Sequence, residues 1–190
     1  VTLKTRLGWD DAMLNAPEIA QRAEAAGIQL ITIHGRTRCQ FYKGAADWAA
    51  IRAVKGAVSI PVIANGDIID SASARQALAQ SGADGIMIGR GARGKPWLLA
   101  QISRDVFGAP QPIIPQGADF AEMVQGHYDH MIRFYGRDVG ARVARKHLGW
   151  YMDTCHTPQD LRRAVLTAAT VEGTLNLIVD ACTVSTLVAA

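Results

Sequence analysis

Cysteine is scarce in this chain, and Cys39, Cys155 and Cys182 stand far apart and odd in number. That spacing argues against a disulfide framework or a clustered zinc site and suits a reducing cytoplasm. Long apolar runs are missing too. No stretch reaches the roughly 18–20 residues that a membrane-spanning helix needs. The apolar tail from Leu175 to Ala190 is broken by Asn176, Asp180 and several hydroxyls, and it stays unassigned. Nothing at the N-terminus has the form of a signal peptide. Neither sign of charge dominates: a formal net charge of +3 permits a polyanionic partner without requiring one. Methionine is absent from position 1, and the chain opens directly on Val1-Thr2-Leu3-Lys4. A piece of a longer protein is therefore expected.

What is present is globular. Half of the 190 residues are apolar, enough for one well-buried domain with a small appendage. From Val1 to about Val106 one pattern recurs four times: a short β-branched run, a polar or glycine loop, then an amphipathic helix. Strands are expected over 1–6, 28–34, 60–65 and 84–89, each near-continuously apolar, as parallel strands buried on both faces are. The helices carry boundary marks. Asn15, Pro17 and Glu18 open the first and Gly27 closes it; Asp47 caps the second; Ser71 and Gly82 bracket the third; Pro96 suits the first turn of the fourth, which runs through Trp97, Leu98 and Ile102.

Strand starts every ~25–30 residues give the repeat of a (β/α)₈ barrel or a doubly wound sheet. No Gly-x-Gly-x-x-Gly follows the first strand, which disfavours the dinucleotide-binding version. A full barrel takes about 250 residues, so four units make half of one. Its two open sheet edges invite pairing with another chain, a second copy included. The expected fold class is α/β: the C-terminal half of a (β/α)₈ TIM barrel over 1–109, a Pro-rich linker at 110–116, and a small all-helical domain over 117–190. There, Phe120, Met123, Val124, His127, Met131 and Tyr135 share a helical stripe. Gly136 and Gly140 bracket a turn, and Thr157-Pro158-Gln159-Asp160 has a capping-box shape.

Functional residues of such barrels gather at the C-terminal strand ends. Here those ends read Lys4-Thr5-Arg6, His34-Gly35-Arg36-Thr37-Arg38, Asn65-Gly66-Asp67 and Gly89-Arg90-Gly91, all polar after apolar strands. In Gly89-Arg90-Gly91-Ala92-Arg93-Gly94, glycines let the backbone approach an anion, a following helix offers free N–H groups, and Arg90 adds a fork of donors. A glycine-rich turn with solvated arginines is the plain alternative. Asn65-Gly66-Asp67 can hold a ribityl chain or phosphate, or be an ordinary turn. Lys4 can stabilise negative charge on a reduced flavin, or snorkel at the rim. His34 can donate to phosphate or substrate, or be structural. In the helical part Arg142, Arg145 and Lys146 share a face, with Arg133 and Arg137 upstream, Asp138 the only nearby acid, and Trp150 and Tyr151 adjacent. Such a stripe can bind a phosphate backbone, or simply be solvated.

The runs Val1–Arg6, Ile33–Arg38, Val62–Ile68, Met87–Ala92 and Ala144–Tyr151 resemble bacterial tRNA-dihydrouridine synthases of the B-type subgroup, in order and over most of residues 1–165. The resemblance implies that Lys4, Asn65, Gly66, Asp67, Gly89 and Arg90 bind FMN, with His34 beside the flavin. It puts Arg36 and Arg38 near the RNA entrance, and Arg142, Arg145 and Lys146 on the tRNA. It implies that NADPH reduces FMN, that hydride passes to C6 of a flipped-out uridine, and that a loop cysteine protonates C5. The Asn-x-Gly-Cys-Pro sequence of that loop is not among the 190 residues, and none of the three cysteines has its context. Little synthase activity and weak FMN binding are expected of this stretch alone. Two other readings remain: an FMN-barrel oxidoreductase acting on a small molecule, similar to dihydroorotate dehydrogenase, and a non-catalytic RNA-binding or regulatory fragment.

Overall fold

A computed structural model describes residues 1–183. The part of the expected helical domain at 184–190 lies outside the described residues. Two compact units result, Val1–Ala92 with Leu98–Gln111, and Arg93–Trp97 with Pro112 onward.

The first unit holds a four-stranded parallel sheet in the order β1 (Leu3–Arg6), β2 (Ile31–His34), β3 (Val62–Asn65) and β4 (Gly85–Met87). Helices α1 (Ala16–Ala25), α2 (Trp48–Lys55) and α3 (Ser71–Ser81) make the crossovers, and α4 (Leu98–Phe107) follows β4. Each strand is shorter than its apolar run. Pro61 has no N–H to give a ladder, yet its carbonyl accepts from Ile31 at 3.0 Å, so pairing begins just as the regular strand does.

Burial on both sheet faces holds for β2, all four of whose residues are buried, but not along β1, β3 and β4. Ile31, Ile33, Val62 and Ala64 lie in one core with Ala20, Ile51 and Val54. The period-2 alternation of strands turns Lys4, Arg6, Thr32, His34, Ile63 and Asn65 to the other face, polar at every position but Ile63. The side pairing also ends at β1 and β4 among the described residues.

The helix signals work through side-chain chemistry at some ends and not at others. Asp47 accepts from Ala50 N at 2.9 Å, capping α2. For α3 the cap is Asp70, not Ser71: its carboxylate accepts from Ser73 N at 2.7 Å while the Ser73 hydroxyl accepts from Asp70 N at 3.1 Å, a reciprocal capping box. Gly82 closes α3 at φ 66°. Asn15 makes no side-chain cap bond. The fourth helix starts two residues after Pro96, and the turn directly after β4 is a three-residue 3₁₀ turn, Arg90–Ala92.

The second unit packs α5 (Gly117–Tyr135), α6 (Arg137–Thr154), α7 (Gln159–Thr167) and α8 (Val171–Thr183). Phe120, Val124 and Met131 of the expected stripe are buried, but so are Tyr128 and Ile132, while Tyr135 is half exposed. Gly140 is not in a turn. It lies inside α6, where a Cβ would stand 2.7 Å from the Met131 carbonyl oxygen, so its lack of a side chain lets α6 approach α5. Gly136 alone makes the break, at φ 79°. Thr157 does not cap α7; its hydroxyl donates to the Ala181 carbonyl at 2.8 Å. Trp97, expected in α4, instead meets Phe120 edge-on at 5.6 Å. The expected boundaries shift accordingly: residues 93–97 and 112–116 go with the helices.

Candidate functional site

Register places the site. Arg6, His34, Asn65 and Met87 are consecutive Cα partners across the sheet, and Lys4 pairs with Thr32 one row further in. Alternation puts Lys4, Arg6, His34 and Asn65 on the same face. Three of the residues given a role in the sequence thus converge with one that had none of its own, Arg6.

His34 is buried, and its imidazole pKa is lowered to about 4. Desolvation is the main cause, followed by the charges of Arg6, Lys4 and Arg36, with Asp67 opposing. At neutral pH the ring is uncharged. Arg36 Nη1 lies 3.5 Å from its Nε2; a guanidinium only donates, so this contact is a hydrogen bond in the tautomer that carries its proton on Nδ1. Burial, and then Arg6, lower the pKa of Lys4. Its ammonium has no ion-pair or hydrogen-bond partner among the described residues. An unpaired, partly desolvated cation beside a second cation favours an incoming anion.

The loop after β2 is built on two arginines. Arg6 Nη1 donates to the carbonyls of Thr37 and Phe41 at 2.7 and 2.8 Å. Arg36, only 2% exposed, sends Nε to Lys43 O at 3.1 Å and Nη2 to Gly44 O at 2.5 Å. Its two terminal nitrogens also grip the Asp67 carboxylate at 2.9 and 2.6 Å. With His34 that occupies all five donors of the guanidinium. Arg36 therefore acts as a scaffold residue, its guanidinium held by Asp67 and two loop carbonyls. Arg38 is exposed, with its guanidinium 4.3 Å from the Phe41 ring centroid, and does not join the cluster.

Asp67 is likewise committed. Besides Arg36 it accepts from Ala46 N at 2.8 Å and lies 3.5 Å from Arg90 Nη2. Burial pushes its pKa up, but the hydrogen bonds from Arg36 and Ala46 and the charges of Arg36 and Arg90 outweigh that and hold it low. The carboxylate thus holds Arg36 and stands beside Arg90. Gly66 is fixed by space as well as by its φ of 116°: a Cβ there would stand 2.7 Å from the His34 ring. Trp48 Nε1 donates to its carbonyl at 2.8 Å. Asn65 Nδ2 donates to Met87 O at 2.8 Å, tying β3 to β4.

Arg90 is half exposed and its guanidinium sits 4.5 Å from the Tyr42 ring centroid. Arg6 lies 5.4 Å from the same centroid and the His34 ring 6.3 Å. Sequence reading named Arg6 only as part of a polar strand end, without a role of its own, and missed Tyr42. Two-residue periodicity from Lys4 was a signal for Arg6; nothing local marked Tyr42. Gly89 has open space where a Cβ would be, which suits close approach by a ligand. The anion cup expected at a helix N-terminus is corrected: α4 begins at Leu98, and only the short 3₁₀ turn follows Gly89.

In the helical unit the basic stripe divides. Arg142 and Arg145 line a cleft of about 480 Å³ with Arg137, Tyr128, Thr170 and Thr174, whereas Lys146 does not. Arg133 is paired with Asp129 at 2.7 Å and Arg137 with Glu172 at 2.8 Å, so Asp138 is not the only acid nearby. Cys155 and Cys182 are buried in the helical core and Cys39 is exposed.

A parallel α/β unit whose strand ends collect four cations, one carboxylate and a neutral imidazole defines a site for an anionic, polar ligand. The family model described as dihydrouridine synthase matches residues 1–186, and the chain belongs to that family. A probable tRNA-dihydrouridine synthase of Rhodobacter capsulatus is 60% identical over 178 residues, 94% of this chain and 54% of that protein. One from Rickettsia conorii is 52% identical, over 87% and 50%. The tRNA-dihydrouridine synthase B of Vibrio cholerae is 46% identical, over 86% and 51%. The chain spans about half the length of these curated relatives. Among solved structures, a mandelate oxidase variant with an FMN adduct aligns over 98% of this chain and 57% of its own at 21% identity and a TM-score of 0.40, too low to bear on function. No helix among the described residues is long and apolar enough to cross a membrane.

Proposed function

We propose that the protein to which this chain belongs reduces uridine to 5,6-dihydrouridine in tRNA in the cytoplasm, with FMN as bound redox group and NADPH as reductant. The observation that supports this best is the unpaired Lys4 ammonium, set beside Arg6 and the neutral His34 on one sheet face, in a chain of the dihydrouridine synthase family. Lys4, Asn65, Gly89 and Arg90 fit a phosphate-bearing, partly anionic cofactor; FMN would supply the hydride chemistry there. Lys4 would stabilise negative charge on it, and His34 would offer its Nδ1–H as a neutral donor. Gly66 and Asp67 would shape the site by holding His34 and Arg90, and the four units would form half of a (β/α)₈ barrel. Arg38, Arg142, Arg145 and Lys146 would face the RNA.

The test is flavin titration of the 190-residue chain, followed by tRNA dihydrouridine formation with NADPH. Because these residues do not include the Asn-x-Gly-Cys-Pro loop, weak FMN binding and little turnover are expected of this stretch alone. In the protein of the relatives' full length, Lys4→Ala is expected to weaken FMN binding at least tenfold. FMN binding and NADPH oxidation that need a small-molecule acceptor, with no effect of tRNA, would sink the proposal.

A further inference from the structure

The core of the helical unit holds a pair of sulfurs that the strand-end site does not use. Cys155 is the C-cap of α6, and Cys182 lies in the last turn of α8. Both are buried, at 6% and 5% exposure, yet both line one cleft of about 280 Å³ with Trp97, Phe120 and Thr154. The two thiols also meet each other: the Cys182 S–H donates to Cys155 Sγ. Neighbouring backbone anchors the pair. Thr157 is buried, and its hydroxyl donates to the carbonyl of Ala181, the residue before Cys182, at 2.8 Å. Its N–H donates to Met152 O at 3.1 Å. The end of α8 is thereby fixed against the turn that follows α6. The bond between the thiols acts unequally on them. It lowers the pKa of Cys155 against the burial that opposes it, and together with burial it raises that of Cys182. A helix C-terminus disfavours an anion, so the neighbouring thiol, and not the helix, makes Cys155 the more acidic sulfur. Buried cysteines are ordinarily small apolar side chains; mutual hydrogen bonding in the wall of a cleft sets these two apart.

We infer that Cys155 and Cys182 are an oxidisable dithiol: Cys155 reacts with hydrogen peroxide entering the cleft, and Cys182 resolves the product to an internal disulfide joining α6 to α8. The Cys155 thiolate sulfur attacks one peroxide oxygen. The O–O bond breaks, hydroxide leaves and takes up a proton to become water, and a sulfenic acid remains. The Cys182 sulfur then attacks that sulfur; the S–S bond forms, the S–O bond breaks, and a second water leaves. Two thiols are oxidised, one peroxide is reduced to two waters, and a thiol reductant reverses the change. The new bond closes a loop that contains α7, restrains the unfolded chain and so stabilises the helical unit. Neither sulfur belongs to the strand-end site, so the inference stands or falls apart from the flavin reading.

The probe is hydrogen peroxide, added to the 190-residue chain carrying Cys39→Ser, so that only this pair is read. Expected are a mass lower by two hydrogens and one linked pair of peptides bearing Cys155 and Cys182. Both thiols should escape iodoacetamide in urea until dithiothreitol is added. The oxidised chain is expected to melt roughly 5–10 °C above the reduced one, a difference that Cys155→Ala and Cys182→Ser each abolish. In Cys182→Ser, whose hydroxyl can still donate to Cys155, dimedone is expected to trap a sulfenic acid on Cys155. In Cys155→Ala, trapping on Cys182 is expected to be roughly tenfold slower. Thiols that stay alkylatable in urea after peroxide treatment, or oxidation of either to sulfinic acid without a cross-link, overturn the dithiol. Faster trapping on Cys182 than on Cys155 overturns the assignment of the first sulfur. Should either variant fail to fold, peptide mapping of the Cys39→Ser chain still decides whether the bond forms.

Discussion

Arginine does opposite work in the two units. In the α/β unit Arg36 is enclosed and every donor is consumed by Asp67, His34 and two loop carbonyls. In the helical unit Arg142 and Arg145 are exposed, and their guanidinium ends are almost free. Residue type and position in a motif do not separate these cases. The donor inventory does: a guanidinium whose five N–H groups are all met shapes the site, and one with spare donors can recruit a ligand.

The largest effect expected from breaking this contrast comes at Arg36. Arg36→Ala leaves Asp67 and two carbonyls without their partner, and a loss of about 3 kcal/mol is expected in urea denaturation. Arg36→Lys should recover little, because an ammonium cannot span those acceptors. A wild-type midpoint for either variant would show that the loop does not depend on it.

Next is pH. His34 has a pKa of about 4 in the folded chain against 6.5 for an unperturbed ring. Between those values the unfolded chain binds a proton that the native state does not, so stability falls as pH drops from about 6.5 toward 4 and is flat above. The span is up to about 3 kcal/mol. Comparing wild type with His34→Asn at pH 7 and 5 checks it, the variant being the flatter; equal slopes would place the titration elsewhere.

Gly66→Ala is smaller. Its Cβ would meet the His34 ring in a backbone of positive φ, and a loss of about 2 kcal/mol is expected, with the thermal midpoint as readout. Smallest is Arg22→Ala, which removes an exposed i,i+4 pair with Glu18. No measurable shift is expected.

Much of the fold was legible because it follows from local pattern. Four apolar runs and their caps gave four parallel strands in sequence order, and Asp47 and Gly82 end helices as their chemistry dictates. Convergence of Lys4, His34 and Asn65 was legible too, since parallel strands align their C-terminal ends. What the sequence hid was pairing over distance. Arg36 and Asp67 lie 31 residues apart, and Arg137 and Glu172 35 apart, so no local spacing announces either bond. For the same reason Gly140 looked like a turn residue: its neighbour in space is Met131, across the hairpin of α5 and α6. Trp97 followed Pro96 into an expected helix, but its ring is held by Phe120, a tertiary contact that outweighs propensity.

That placement of Trp97 bears on how the molecule can be taken apart. Residues 93–97 belong with the helices, although 98–111 follow them in the other unit, so the polypeptide passes between the units three times. A protease nick in the proline-rich stretch before residue 117 would sever only one of those passages. Expressing residues 112–190 by themselves would leave Phe120 facing an empty socket where the indole belongs, and greasy enough there to aggregate. Any stable helical piece cut from this protein should carry the pentapeptide from Arg93 with it, supplied as a separate strand or spliced in.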